Sequence, residues 1–344
     1  MENNKSIIYW LLSGCVLLFV MVTVGGITRL TNSGLSMTDW HLVTDTFPPL
    51  TEEKWNAAFE EYKKFPEYQK INIHNNFQLS DYKFIYFWEW FHRLWGRVGF
   101  MFLLGLLGVM AWTRRLDAPA YRRFIWLLLL YAAQGLLGWI MVKSGLSDMP
   151  RVSHYRLTAH LLLALFLFAY ILHWVANLLT DYAQKVQQPA LYRALRWIIG
   201  LAIVQVMYGG FMSGLRAAPH YPSFPDMNGH IVPPTLLFME PFYLNFFENI
   251  ATVQFMHRSI AYVLSGFIIW FWLRARALPI DNAMFKRGVA LLPFVLLTQI
   301  VLGVSVLLLS ADGTIPVGVG VAHQAVGLLL LNNLLFVAFQ FQRA

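Results

Sequence analysis

The sequence predicts an all-α polytopic membrane protein, and three observations carry that prediction. Of 344 residues, 58% are hydrophobic and only 13% charged, where a soluble globular chain carries roughly 25% charged residues. The apolar residues gather into eight stretches long enough to cross a bilayer, which takes about 20 residues per helix. The connections between those stretches alternate between basic and acidic. This composition excludes a disordered chain, a nucleic-acid binder and an ordinary cytosolic enzyme. The net charge of +8 alone would suit a polyanion, but its placement fits a membrane better. One cysteine, Cys15, lies in an apolar run, so no intramolecular disulfide, cysteine zinc site or iron–sulfur cluster can form.

The eight expected transmembrane helices cover roughly residues 7–29, 84–112, 124–143, 154–179, 194–213, 250–273, 285–310 and 316–341. The last two meet at a tight turn near Asp312, Gly313 and Pro316. Within the long connection 30–83, Trp55, Ala58, Phe59 and Tyr62 recur at helical spacing, with Thr51 as N-cap and Pro66 as a stop. That pattern predicts an amphipathic helix that lies on the membrane or covers a pocket. A second long connection, about 214–249, is rich in proline and aromatics and could equally be a lid.

Charge sets the expected orientation. The N-terminus, the second–third, fourth–fifth and sixth–seventh connections and the C-terminus hold 13 basic residues against 4 acidic ones. The basic ones are Lys5, Arg114, Arg115, Arg122, Arg123, Lys185, Arg193, Arg196, Arg274, Arg276, Lys286, Arg287 and Arg343. The opposite side holds 10 basic and 13 acidic residues. Both termini are therefore expected in the cytoplasm. Six residues precede Ile7, with neither a cleavable leader nor an Arg/Ser-rich transit segment among them. A bacterial inner membrane is expected rather than an organelle precursor.

The chain repeats itself. A shift of 165 residues lays Glu89-Trp-Phe-His92-Arg93 on Gln254-Phe-Met-His257-Arg258, and Gln134-x-x-x-Gly138 on Gln299-x-x-x-Gly303. A shift of 163 lays Ala159-His160 on Ala322-His323, and Gly25-Gly26 has its counterpart in Gly209-Gly210. Four spans per unit give both halves the same topology. The expectation is two tandem four-helix bundles, residues 1–190 and 191–344, related by a pseudo-two-fold axis along the membrane normal.

Of ten histidines, four recur at matching places: His92, His160, His257 and His323. They fall on the second, fourth, sixth and eighth spans, each some 6–8 residues past the outer end, or about 10 Å deep at 1.5 Å per residue. Intramembrane ionisable groups are costly and usually functional. Bundle cores build cofactor sites from facing helices, and histidine is a common axial ligand of haem iron. Each histidine alone reads as a buried hydrogen-bonding residue; four at matched depth and repeat position point to haem. A bare metal ion is disfavoured, because each half supplies two repeated ligands where a structural zinc site takes four. The remaining six, His41, His74, His154, His173, His220 and His230, are not expected to bind iron.

The halves are not equivalent, and the difference at one position is chemical. Glu89 lies one turn outward of His92 on nearly the same face, and its counterpart is Gln254. A carboxylate there could act as general base, activate water or stabilise a developing cation, or form an i,i+4 ion pair with Arg93. Arg258 persists beside Gln254, so the arginine does not require the acid. Arg93, Arg97 and Arg258 suit haem propionates, or snorkel to the outer interface. The Gln-x-x-x-Gly pattern occurs a third time at Gln205-x-x-x-Gly209. Its small residues are expected to let helices approach closely; a haem face lying on the glycine is the alternative. Trp88, Trp90 and Trp95 read as an interfacial belt.

These residues resemble the haem A synthases. The likeness is carried by Pro66-Glu67, by Lys83-Phe-Ile-Tyr-Phe-Trp-Glu89-Trp-Phe-His92-Arg93-Leu-Trp-Gly96-Arg97 and by Ser153-His-Tyr-Arg-Leu-Thr-Ala-His160. Phe224-Pro225-Asp-Met227, Gln254-Phe-Met-His257-Arg258-Ser-Ile-Ala-Tyr262 and Ala322-His323-Gln324 continue it, as does Gly25-Gly26-Ile-Thr-Arg29-Leu-Thr-Asn-Ser33-Gly34. It covers essentially the whole chain. The resemblance implies oxidation of the C8 methyl of haem O to a formyl group, giving haem A for cytochrome c oxidase. It implies that His92 and His160 receive the substrate haem O, with Glu89 as the essential acid. By the same resemblance His257 and His323 hold a haem b that relays electrons, and a haem O synthase is an expected neighbour. The electron acceptor is open, a quinone being one candidate. Some members carry cysteine pairs in outer loops; this chain has none and looks like the cysteine-free subtype. The alternative reading is a two-haem b-type membrane electron carrier exchanging electrons with quinone, which leaves Glu89 in one half unexplained. A transporter is disfavoured, since no clearly broken helices stand at matching midplane positions.

Overall fold

The computed structural model describes residues 2–38, 46–113, 117–146, 150–179 and 185–342. His41, Arg114, Arg115 and Arg343 of the sequence reading lie outside the described residues. Ten α-helices are seen among them: α1 (Glu2–Leu30), α2 (Glu52–Tyr62), α3 (Pro66–Lys70), α4 (Leu79–Trp112), α5 (Ala118–Gly145), α6 (His154–Leu179), α7 (Pro189–Gly214), α8 (Ile250–Arg276), α9 (Ala283–Leu308) and α10 (Val317–Phe339). All but α2 and α3 are long and apolar enough to cross a membrane, and eight spans match the eight expected. No strand occurs among the described residues. This is an all-α, multi-pass membrane protein.

Several helices run past their apolar stretch because polar caps extend them. Asp117 accepts from the Ala120 N–H at 2.8 Å, Asn249 from Thr252 at 3.2 Å and Asn282 from Phe285 at 2.9 Å, each satisfying a donor that the first turn leaves open. At α4, Asp81 accepts from the backbone N–H of Gln78 at 2.8 Å, part of a capping box. With 34 residues, α4 is about 50 Å long, well beyond a hydrocarbon core of about 30 Å. Its first turns therefore stand clear of the apolar layer.

The chain divides into two compact units, Ser13–Leu167 and Met1–Leu12 with Phe168–Ala344. In the first, α2 is capped by Thr51, whose hydroxyl accepts from the Lys54 N–H at 3.3 Å. The apolar stripe of α2 packs on the protruding start of α4 rather than on lipid. Tyr62 stacks on Tyr82 at 5.0 Å between ring centroids and Phe59 on Tyr82 at 5.2 Å, while Trp55 meets Tyr86 edge-on. Burying Phe59 and Tyr62 contributes roughly 1.5–3 kcal/mol each. Tyr62 donates to Glu67 at 3.0 Å and accepts from Asn72 at 2.7 Å; burial, then the Glu67 charge, pushes its phenol pKa up. Pro66 does not simply stop a helix. Lys63 already caps α2, and Pro66 opens α3 at its first turn, where a fixed φ and a missing N–H cost nothing. Deeper in this unit, the Trp95 indole donates to Leu17 O at 3.0 Å and Thr28 to Trp88 O at 3.2 Å, joining α1 to α4.

In the second unit α7 packs on α8 and α10, and α9 packs on α8 and α10, a closed ring of four helices. Asn333 ties α10 to α9 by donating to Gly288 O at 3.1 Å. Large apolar side chains such as Trp197, Phe294 and Leu297 point outward, as lipid-facing positions do. The α9–α10 turn closes at Gly313, whose φ of +88° suits a residue without Cβ, and Asp312 accepts from the Thr314 N–H and hydroxyl at 2.9 and 2.8 Å.

Candidate functional site

The four repeated histidines form two pairs, each within one unit. His92 on α4 and His160 on α6 lie within electrostatic reach of one another, as do His257 on α8 and His323 on α10. All four are partly exposed. Outside these pairs, His74 and His220 sit in short 3₁₀ turns, and His173 packs edge-on against Phe339.

The glycines of the repeated patterns lie beside these rings. A Cβ on Gly138 would stand 3.0 Å from His160 Cε1, on Gly303 2.8 Å from His323 Cε1, on Gly209 3.4 Å from His257 Cε1 and on Gly25 3.1 Å from His92 Nε2. The expectation that Gln-x-x-x-Gly serves close helix approach is corrected here. The glycine makes room for an imidazole rather than for a neighbouring backbone. The glutamines also turn toward the histidines. Gln205 Nε2 is 3.2 Å from His257 Nδ1, Gln299 Nε2 is 3.4 Å from His323 Nε2, and Gln134 donates to the His160 carbonyl at 3.0 Å.

Glu89 is 2% exposed and fully engaged. Its Oε2 accepts from the Ser36 hydroxyl and the Met37 N–H, both at 2.8 Å. Its Oε1 pairs with Arg93 at 2.5 Å, and Arg93 also donates to Met37 O at 3.0 Å. The i,i+4 ion pair exists, and with it a bracket that holds the segment after α1 against α4. The second unit ties down its loop without an acid and with the opposite polarity, its side chains donating to backbone carbonyls. Gln254 donates to Tyr221 O at 3.0 Å, and Arg258 donates to the carbonyls of Tyr221, Ser223 and Asp226 at 2.6, 3.0 and 2.7 Å. Asp226 is held in turn by the Ser223 hydroxyl and by the Gly229 N–H at 3.1 Å. Arg97 is half-buried one turn beyond Arg93. Ser36 and Met37 were not singled out from sequence; the only signal was their place just after the Ser33-Gly34 turn. Trp90 donates to Thr46 O at 3.1 Å, so Trp90 and Trp95 both hold backbone.

Would the pairs suit a haem? Nδ1 of His160 and of His323 is buried with no partner, as are the amide oxygens of Gln134, Gln205 and Gln299. Buried polar atoms of this kind call for an occupant or an acceptor. Among the described residues no cluster of three or more His, Cys, Asp or Glu could hold a metal ion. Two imidazoles per site fit an iron already held by porphyrin nitrogens and fall short of the set a bare zinc requires.

Fold and site together define a helical, multi-pass membrane protein with a repeated pair of histidines in its membrane-crossing helices. The family model COX15-CtaA, described as Cytochrome oxidase assembly protein, matches residues 8–335. The chain belongs to this family. It is 47% identical over 100% of both chains to Heme A synthase of Flavobacterium psychrophilum. It is 46% identical over 99% of both chains to the protein of that name from Flavobacterium johnsoniae. To that from Nitrosospira multiformis it is 42% identical, covering 99% of this chain and 94% of the relative.

Proposed function

We propose that this chain is a haem A synthase, oxidising the C8 methyl group of haem O to a formyl group to give haem A for cytochrome c oxidase. Full-length likeness to proteins of that name supports the reaction, and one asymmetry supports the assignment of sites: an acid, Glu89, stands a turn from one histidine pair where an amide, Gln254, stands by the other. Gln254 holds its loop by donating to Tyr221 O, whereas Glu89 accepts from Ser36 and Met37, and only the carboxylate can also take up a proton.

In this reading the N-terminal bundle, residues 1–190, receives haem O between His92 and His160. The C-terminal bundle, residues 191–344, keeps a haem b between His257 and His323, which supplies electron relay when bound. Converting a methyl and a water to a formyl releases four electrons and four protons, so a proton acceptor must stand near the methyl. Glu89 is the one acid within the apolar spans. Ser36, Met37 and Arg93 fix the direction of its carboxylate. Arg258 retains a buried Nε–H with no partner, a donor suited to a propionate; Arg93 and Arg97 are assigned the same role toward haem O. A quinone is the electron acceptor proposed, and a haem O synthase the neighbour that delivers substrate. The basic connections support a reading with both termini in the cytoplasm, and the bacterial relatives support a bacterial inner membrane.

Co-expression with a haem O source, followed by chromatography of extracted pigments, tests the reading. Formylated haem is expected. Haem b alone would return the chain to an electron carrier, and no pigment would remove haem chemistry altogether.

A further inference from the structure

Gln205 on α7 and Met21 on α1 occupy matched positions, each four residues before the glycine that lies beside the first histidine of its unit. Their side chains do different things. Gln205 Nε2 stands 3.2 Å from His257 Nδ1 and 3.3 Å from its Nε2, and Gln205 Oε1 is buried without a partner. Met21 turns elsewhere: its Cε lies 3.2 Å from where a Cβ on Gly96 would be, one turn along α4 from His92. No hydrogen-bonding group from that position of α1 serves the His92 ring.

An imidazole that binds a metal through one nitrogen carries its proton on the other, and the acceptor of that proton sets ring orientation and ligand basicity. A half-turn of the Gln205 amide exchanges its oxygen and nitrogen, which occupy nearly the same space. That half-turn brings the amide oxygen to the ring as an acceptor for the imidazole proton and moves the amide nitrogen to the buried position that Oε1 holds without a partner.

We propose that Gln205 is a positioning residue whose amide, in contact with the His257 ring, fixes the orientation in which that ring meets iron, and that Met21 leaves His92 without this restraint. The second pair then retains its haem while the first lets its haem go. This division is what the chemistry asks of them, since a synthase must release product and must keep its relay. The inference rests on reading the four histidines as haem ligands.

Three variants of the full-length protein test it: Gln205→Met, Gln205→Glu and Met21→Gln. Gln205→Met should speed loss of haem b to excess apomyoglobin about 10- to 100-fold, the usual cost of a lost outer-shell partner, and shift the haem midpoint potential. Gln205→Glu keeps an acceptor, so it should restore retention and move the potential below wild type. Met21→Gln, in a His257→Ala background where only the first pair binds, should slow haem b transfer about tenfold. A wild-type loss rate and potential in Gln205→Met would overturn the proposal. If that variant fails to accumulate, Met21→Gln decides, and an unchanged transfer rate overturns it. Wild-type protein free of haem, or haem b that survives His257→Ala, would instead remove the ligand assignment beneath it, a failure that Gln205→Met with normal haem does not produce.

Discussion

Replacing Gly303 by alanine puts a methyl carbon 2.8 Å from His323 Cε1, well inside the roughly 3.5–4.0 Å at which two carbons sit at rest. The ring must retreat by about 0.7–1.2 Å on that contact distance, and it is already in touch with Gln299 at 3.4 Å. Overpacking of this kind costs typically 1–3 kcal/mol. If that strain falls on the metal-bound pose, it weakens haem binding about 5- to 150-fold, at 1.4 kcal/mol per tenfold. The same substitution at Gly209 meets His257 at 3.4 Å, an ordinary contact, and at Gly200 or Gly266 meets nothing within 4 Å. Haem b per protein, from the pyridine haemochrome, and its transfer rate to apomyoglobin should therefore separate Gly303→Ala from Gly209→Ala and Gly266→Ala at matched yield and thermal stability. In the first unit, Gly138→Ala, at 3.0 Å from His160, should impair haem O binding in the same way. Gly303→Ala protein with wild-type haem retention, or loss of haem on Gly266→Ala, would refute the placing of glycine against imidazole.

Glu89→Gln keeps an amide oxygen to accept from Ser36 and Met37, so it should leave the segment after α1 in place yet accumulate haem O or a hydroxymethyl intermediate; normal haem A output would remove Glu89 from catalysis. Ser36→Ala deletes one hydrogen bond to that carboxylate, worth about 1.5–3 kcal/mol for a charged acceptor, and should raise the haem O to haem A ratio and the proteolytic sensitivity of residues 31–38 without altering haem b. Asp226 is held below the usual carboxylate range, first by the Ser223 hydroxyl, then by the Gly229 N–H and the Arg258 charge. Its contribution is present above its unfolded value of about 3.9 and is lost as pH falls through the lower folded value. Limited proteolysis between residues 221 and 230 should therefore rise on acidification in wild type and lose that dependence in Asp226→Asn; identical profiles would refute the coupling.

The spans were legible because bilayer-crossing helices need long apolar runs, and α6 begins and ends where hydropathy alone put it. The starts of α4 and α5 were not, since Gln78, Asp81 and Asp117 extend those helices through polar turns that hydropathy does not register. The histidine pairs were legible because the repeat doubles the signal of each residue. What the glutamines and glycines do for those rings was not, because Gln-x-x-x-Gly carries the same sequence mark whether the glycine admits a backbone or an imidazole. The bracket around Glu89 depends on Ser36 and Met37, over 50 residues away, and such a contact becomes visible only once α1 and α4 are packed together.

Low-temperature electron paramagnetic resonance of the purified full-length chain, read beside its Soret band, bears most directly on the claim that paired imidazoles hold porphyrin iron. A low-spin signal of two-imidazole type is expected, retained in Glu89→Gln and lost from the second site in His257→Ala and in His323→Ala. A colourless protein from iron-sufficient cells, or a signal indifferent to both histidine substitutions, would contradict it.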